Sequence, residues 1–186
     1  LHAKHIYIIG IRSCAPLASF MAFYFTLMFP NVHLIQTSSS SEIFEQMVRI
    51  GKEDVIIGIS FPRYSMRTLK AMEFANNRSA KVITLTDSVH SPMNLYSSCN
   101  LIADSDMASI VDSLVAPLSV INALIVALCM KKQNEVAKTL EMLEDIWDEY
   151  QVYENDEINY IDDSIKMRCS RRLICWETFW LCSRLF

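Results

Sequence analysis

Residues 54–77 read DVIIGISFPRYSMRTLKAMEFANN, and the order of events in this stretch decides the fold. Asp54 to Ile59 is a short apolar run rich in β-branched residues, without alternation, as expected of a strand buried on both faces. Turn-forming residues follow, Ser60-Phe61-Pro62-Arg63-Tyr64-Ser65. From Ser65 to Asn77 the period becomes helical: Met66, Leu69, Met72 and Ala75 share one face, while Arg67, Lys70 and Glu73 lie elsewhere. Strand, short loop and helix in this order make half of a βαβ unit.

The same alternation continues on both sides. Upstream, His5 to Ile9 ends at Gly10 and precedes a mostly apolar helix from about Ser13 to Phe29. Val32 to Gln36 is the next strand, followed by a helix over Ser41 to Ile50 with a serine cap and Glu42 in its first turn. Downstream, Lys81 to Leu85 is the fourth strand and Asn100 to Ala103 the fifth. The pattern predicts an α/β domain, a doubly wound five-stranded parallel sheet with helices on both faces. After Ala103 the chain reads as helical only. Ser105 or Asp106 is placed to cap a long helix reaching about Met130 and bent near Pro117, and a second helix runs from Asn134 to about Gln151.

Composition narrows the function. The 186 residues are one domain's worth and bury roughly 70% of the unfolded surface without disulfides. Seventeen basic and 21 acidic residues, net −4, speak against a nucleic-acid surface as the main business of this chain. Only three glycines occur, and neither GxGxxG nor GxxxxGK[ST] is present, so no glycine-rich nucleotide loop exists. The six cysteines, at 14, 99, 129, 169, 175 and 182, form no CxxC and no paired Cys/His spacing. No metal site and no cofactor is expected, and the cysteine usage suits a reducing cytoplasm. No secretory signal is visible, and the uncharged stretches 13–41 and 113–130 are interrupted by Pro30 and Pro117 and read as buried helices rather than membrane spans.

The domain is expected to cover residues 1–151. From Glu141 to Asp163 there are ten acidic residues and no basic ones, which reads as a solvated face passing into a mobile linker. Residues 152–186 continue into a Cys- and Trp-rich tail of no clear period. That tail either docks on the domain or a partner chain, or is an out-of-frame ending. The first residue is Leu1 and a strand begins at once, so the chain reads as a fragment.

In a sheet of order 2-1-3-4-5 the ligand crevice lies outside the carboxyl ends of strands 1 and 3. The segments leaving those ends are Gly10-Ile11-Arg12-Ser13 and Ser60-Phe61-Pro62-Arg63-Tyr64-Ser65. Each supplies hydroxyls and an arginine and runs into a helix start, where backbone N–H groups and the helix dipole favour an anion. Thr86 and Ser91, beyond strand 4, are further polar groups at the same edge.

The segments IYIIGIRSCAPLA, DVIIGISFPRYSMRTLKAMEFA, AKVITLTDSVHSPM and NLIADSD together resemble a SIS (sugar isomerase) domain over about residues 4–150, most closely the effector domain of RpiR/MurR-type bacterial transcription regulators. The resemblance implies a flavodoxin-like fold that binds a sugar phosphate or related phosphorylated metabolite, with the phosphate held by hydroxyls matching Ser13, Ser60 and Ser65 and further contacts at Thr86 and Ser91. It also implies DNA binding only through a helix-turn-helix domain that would precede Leu1. A homodimer or higher homo-oligomer is expected, a dimer being the default of symmetric assembly, with the wide apolar faces of the helices at about 107–150 as its surface. The family pattern S-x-S-G-x-[ST] is broken here, a serine and a glycine being replaced by Pro62 and Arg63. Two other functions fit the same residues. A sugar-phosphate isomerase would need His90 with Glu42 or Glu73 as acid and base. A pure dimerisation module would keep the fold with a vestigial pocket.

Overall fold

A computed structural model describes residues 3–37, 39–105 and 113–153. Five parallel strands, β1 (Ile6–Gly10), β2 (Val32–Ile35), β3 (Val55–Ile59), β4 (Lys81–Thr86) and β5 (Cys99–Ile102), form one sheet of order β2-β1-β3-β4-β5. Ile8 pairs with Leu34 on one side and with Ile57 on the other, and Ile57 pairs in turn with Ile83. All of β1 is buried, whereas the edge strands β2 and β5 are largely open.

The period of two along each strand divides the apolar residues between two cores. Ile6, Ile8, Ile57 and Ile59 pack on α1 (Ala15–Met28), α4 (Val115–Lys131) and the start of α5 (Gln133–Glu149). Tyr7, Ile9, Ile56 and Val82 pack on α2 (Ser40–Gln46) and α3 (Met66–Asn77). The sheet is therefore doubly wound, as the alternation predicted. Side chains such as Ile8, Ile59, Met72 and Leu85 are wholly buried, each worth roughly 1.5–3 kcal/mol of transfer free energy.

Two glycines allow close approach. A Cβ on Gly10 would stand 2.6 Å from the Cys14 carbonyl oxygen, and one on Gly58 would stand 2.2 Å from Met72 Sδ. These contacts let α1 and α3 lie directly against β1 and β3.

Several boundaries differ from expectation. The helix expected from Ser13 starts as a 3-10 turn, Arg12–Cys14, and becomes α1 at Ala15, with Pro16 in a first turn that has no use for its missing N–H. Helix α2 ends at Gln46 and passes into a turn rather than reaching Ile50. The long helix expected from residue 105 or 106 begins at Val115, after non-helical residues 113 and 114, and Pro117 lies in its first turn and introduces no mid-helix bend. Residues 106–112 and the tail from 154 onward lie outside the described residues.

The chain divides into two compact units, Leu1–Leu140 and Glu141–Phe186. The sheet and both cores belong to the first. Within the second, Glu141, Glu144, Asp145, Asp148 and Glu149 are all exposed, and the Trp147 and Tyr153 rings meet edge to face at 5.4 Å. Among the described residues no single helix is long and apolar enough to cross a membrane.

Candidate functional site

A cleft of about 770 Å³ opens at the carboxyl ends of β1 and β3, where the strand order reverses. One wall is the segment after β1, with Arg12 and Ser13; the other runs from Ser60 to Arg67 and includes the first turn of α3. Ile11, Phe61 and Leu114 supply apolar lining.

The second wall is ordered by its own hydroxyls. Ser60, almost fully buried, accepts a hydrogen bond from the Ser65 backbone N–H at 3.0 Å, which folds the loop back on itself. Ser65 caps α3, its Oγ accepting from the Thr68 N–H at 3.4 Å. Each oxygen thus accepts from the backbone and retains its own O–H proton, ready to be donated to an anion. The N-terminus of α3 adds the positive end of a twelve-residue helix.

The arginines carry backbone strain. Arg12 has φ 61° and Arg63 φ 63°, both in the left-handed region that glycine occupies freely. A side chain there costs about 1–2 kcal/mol. Such outliers are typical of functional sites, where the surrounding structure over-determines the backbone. Pro62, next to Arg63, offers no N–H, and Arg63 brings a charged donor to this part of the wall.

Of the residues expected at the site, Arg12, Ser13, Ser60, Arg63, Tyr64 and Ser65 line the cleft together. Gly10, Thr86 and Ser91 do not line it. Gly10 is buried in β1 and serves the close approach of α1. Thr86 and Ser91 are buried side by side, their hydroxyls 2.8 Å apart, with Thr86 Oγ1 also 3.0 Å from Asp87 Oδ1. Ser91 caps the 3-10 turn Pro92–Tyr96 by accepting from the Met93 N–H. Their polarity is spent within the protein, on each other, on Asp87 and on the Met93 N–H. They act on it through Tyr64, whose hydroxyl donates to Asp87 at 2.9 Å. Burial pushes the Tyr64 hydroxyl above its usual range and the Asp87 carboxylate adds to this, so it remains a protonated donor.

Arg67 also lines the cleft, from the second position of α3. Helical periodicity assigns it to the outer face of α3, and only its place in the first turn, at the sheet's ligand edge, signals otherwise. Asp87, which follows β4, is one of the polar groups that the sequence places at this edge of the sheet, and its role is to hold Tyr64 rather than to line the cleft. His90 and Glu42 are exposed and Glu73 half-buried, and none of the three lines the cleft.

The SIS domain family model matches residues 1–127. The chain belongs to the SIS domain family. A protein of Caldanaerobacter subterraneus subsp. tengcongensis, named an uncharacterized HTH-type transcriptional regulator, is 32% identical over 98 residues, which cover 50% of this chain and 35% of that protein. The SIS chain thus spans about a third of that relative's length. The sugar isomerase domain of an RpiR transcription factor from Sphaerobacter thermophilus superposes with a TM-score of 0.73 at 22% identity, over 77% of this chain and 80% of the other. The Vibrio vulnificus NanR protein complexed with ManNAc-6P superposes with a TM-score of 0.66 at 18% identity, over 78% and 57%. Against the SIS loop pattern, Arg63 stands at the glycine position, and its φ of 63° gives the physical reason that a glycine suits that position.

Proposed function

We propose that this chain is the phosphosugar-sensing effector and dimerisation domain of an RpiR-type transcription regulator. In this reading a sugar phosphate, or a related phosphorylated metabolite, seats its phosphate against Ser60, Ser65 and the N-terminus of α3, with Arg63 as the charged partner. The observation that carries the reading is the wall itself: two serine hydroxyls with their acceptor sides engaged by backbone N–H groups, beside arginines, at the strand-order reversal.

Among the described residues no Asp, Glu or His lines the cleft. Isomerisation needs a base to move a proton between neighbouring carbons, and the reading of binding without turnover draws its support from the regulators among the similar proteins. DNA contact falls to a helix-turn-helix segment outside this chain, in keeping with the name of the Caldanaerobacter relative. A second copy is the natural cover for the exposed apolar residues of α1 and α4: Phe23 is 63% exposed, and only Pro117, Ile121 and Ile125 of α4 are buried. Regulation then follows from a differential affinity of the sugar phosphate for two dimer geometries. A regulator of this kind works in the cytoplasm.

The test is Ser60→Ala combined with Arg63→Ala, followed by calorimetric titration with hexose phosphates. The double variant is expected to keep its circular dichroism spectrum and oligomeric state while losing measurable binding. Unchanged affinity would place the site elsewhere.

A further inference from the structure

The loop that carries Arg63 is anchored on both faces of the sheet. Phe61 is buried in the core shared with α1 and α4, whereas Tyr64 packs against the core shared with α2 and α3. Between these anchors Pro62 and Arg63 are exposed, and Arg63 holds φ 63°. A left-handed backbone at a residue other than glycine persists only while its surroundings fix it. The next residue is Tyr64, whose hydroxyl donates to Asp87, 2.9 Å from Oδ1 and 3.2 Å from Oδ2. The carboxylate is itself held. Thr86 Oγ1 lies 3.0 Å from Asp87 Oδ1, and because a carboxylate only accepts, the threonine donates. Ser91 Oγ stands 2.8 Å from Thr86 Oγ1 and accepts from the Met93 N–H. Hydrogen bonds thus run from buried groups after β4 to the residue beside the strained one in the loop after β3. By charge alone, a carboxylate one hydrogen bond away from a cleft residue disfavours an anion, so its place there calls for another role.

We infer that Asp87 is a positioning residue of the cleft: it fixes Tyr64, Tyr64 fixes the left-handed backbone at Arg63, and the affinity of the cleft for a phosphate depends on the Tyr64–Asp87 bond although Asp87 does not line the cleft. The inference rests on the phosphosugar reading and adds to it a residue of the loop after β4 that acts through the loop after β3.

The experiment is calorimetric titration of the full chain and its variants with glucose 6-phosphate, ribose 5-phosphate and inorganic phosphate. Trypsin cleavage after Arg63 measures the order of the loop without any ligand. Tyr64→Phe removes the hydrogen bond and no charge, Asp87→Ala removes the bond and a negative charge, and Asp87→Asn keeps an acceptor oxygen for the tyrosine. Tyr64→Phe and Asp87→Ala are each expected to weaken phosphate binding by at least about fivefold and to be cleaved faster after Arg63. The double variant is expected to bind no more weakly than either single one, and Asp87→Asn to keep most of the affinity. If Asp87→Ala fails to fold, Tyr64→Phe and Asp87→Asn carry the test. Tighter binding in Asp87→Ala shows a carboxylate that acts on the anion by repulsion alone and overturns the inference. Unchanged affinity in Tyr64→Phe, or losses that add in the double variant, overturn it as well, and all three results leave the phosphosugar reading intact. Absence of binding by every probe in the unaltered protein overturns the phosphosugar reading and this inference with it.

Discussion

Arg63 holds a backbone conformation that its side chain disfavours, and two substitutions separate the strain from the charge. Arg63→Gly removes the Cβ from a φ of 63°, relieving about 1–2 kcal/mol, partly offset by the greater freedom of glycine in the unfolded chain. Its thermal midpoint is expected to rise by about 2–4 °C. Arg63→Ala keeps the strained Cβ and is expected to melt close to the unaltered protein. Both lose the guanidinium and bind phosphorylated ligands more weakly, so stability and affinity move in opposite directions in the glycine variant alone. If Arg63→Gly melts no higher than Arg63→Ala, the left-handed backbone at this position costs nothing and its link to function fails. The residue was legible in the sequence as a charge in the right loop. Its strain was not, because no local pattern announces an arginine in a glycine conformation.

Helix α3 shows how an element serves two masters. Its first turn builds the cleft wall through Ser65 and Arg67, while Thr68, Met72 and Ala75 are buried on the sheet. Thr68 is fully buried, and its Oγ1 has no hydrogen-bond partner among the described residues. An unsatisfied buried hydroxyl costs about 1–3 kcal/mol, so Thr68→Val, of similar shape, is expected to raise the urea midpoint by the equivalent of about 1 kcal/mol. A drop of that size would mean that the hydroxyl has a partner after all. The element scale also explains what pattern reading missed. Thr86 and Ser91 have the right chemistry and lie at the end of the right strand, yet their hydroxyls bond each other and neither residue lines the cleft. Arg67 was missed for the converse reason: a residue on the polar face of a helix is at the site when it sits in the turn nearest the strand ends. Pro117 ended as a first-turn residue because α4 begins at Val115, a boundary that an apolar run without glycine does not mark.

At the scale of the molecule, the strand order and the two-sided cover were readable because each strand run is short, apolar and separated from the next by a helical period. Three glycines in 186 residues also carried information, since two of them sit where a helix touches a strand. The position of the cleft then follows from topology, since the winding direction reverses between β1 and β3. The measurement that bears most directly on the proposed sensor is a thermal-shift panel of hexose, pentose and amino-sugar phosphates, acidic and neutral, each beside its unphosphorylated parent. A ligand at a hundred times its Kd stabilises the folded chain by about 2.7 kcal/mol, a rise of roughly 5–10 °C for a protein of this size. The expected result is such a rise with at least one phosphate and none with its parent sugar. Equal shifts for phosphate and parent, or no shift with any member, would contradict a phosphate-binding cleft at the ends of β1 and β3.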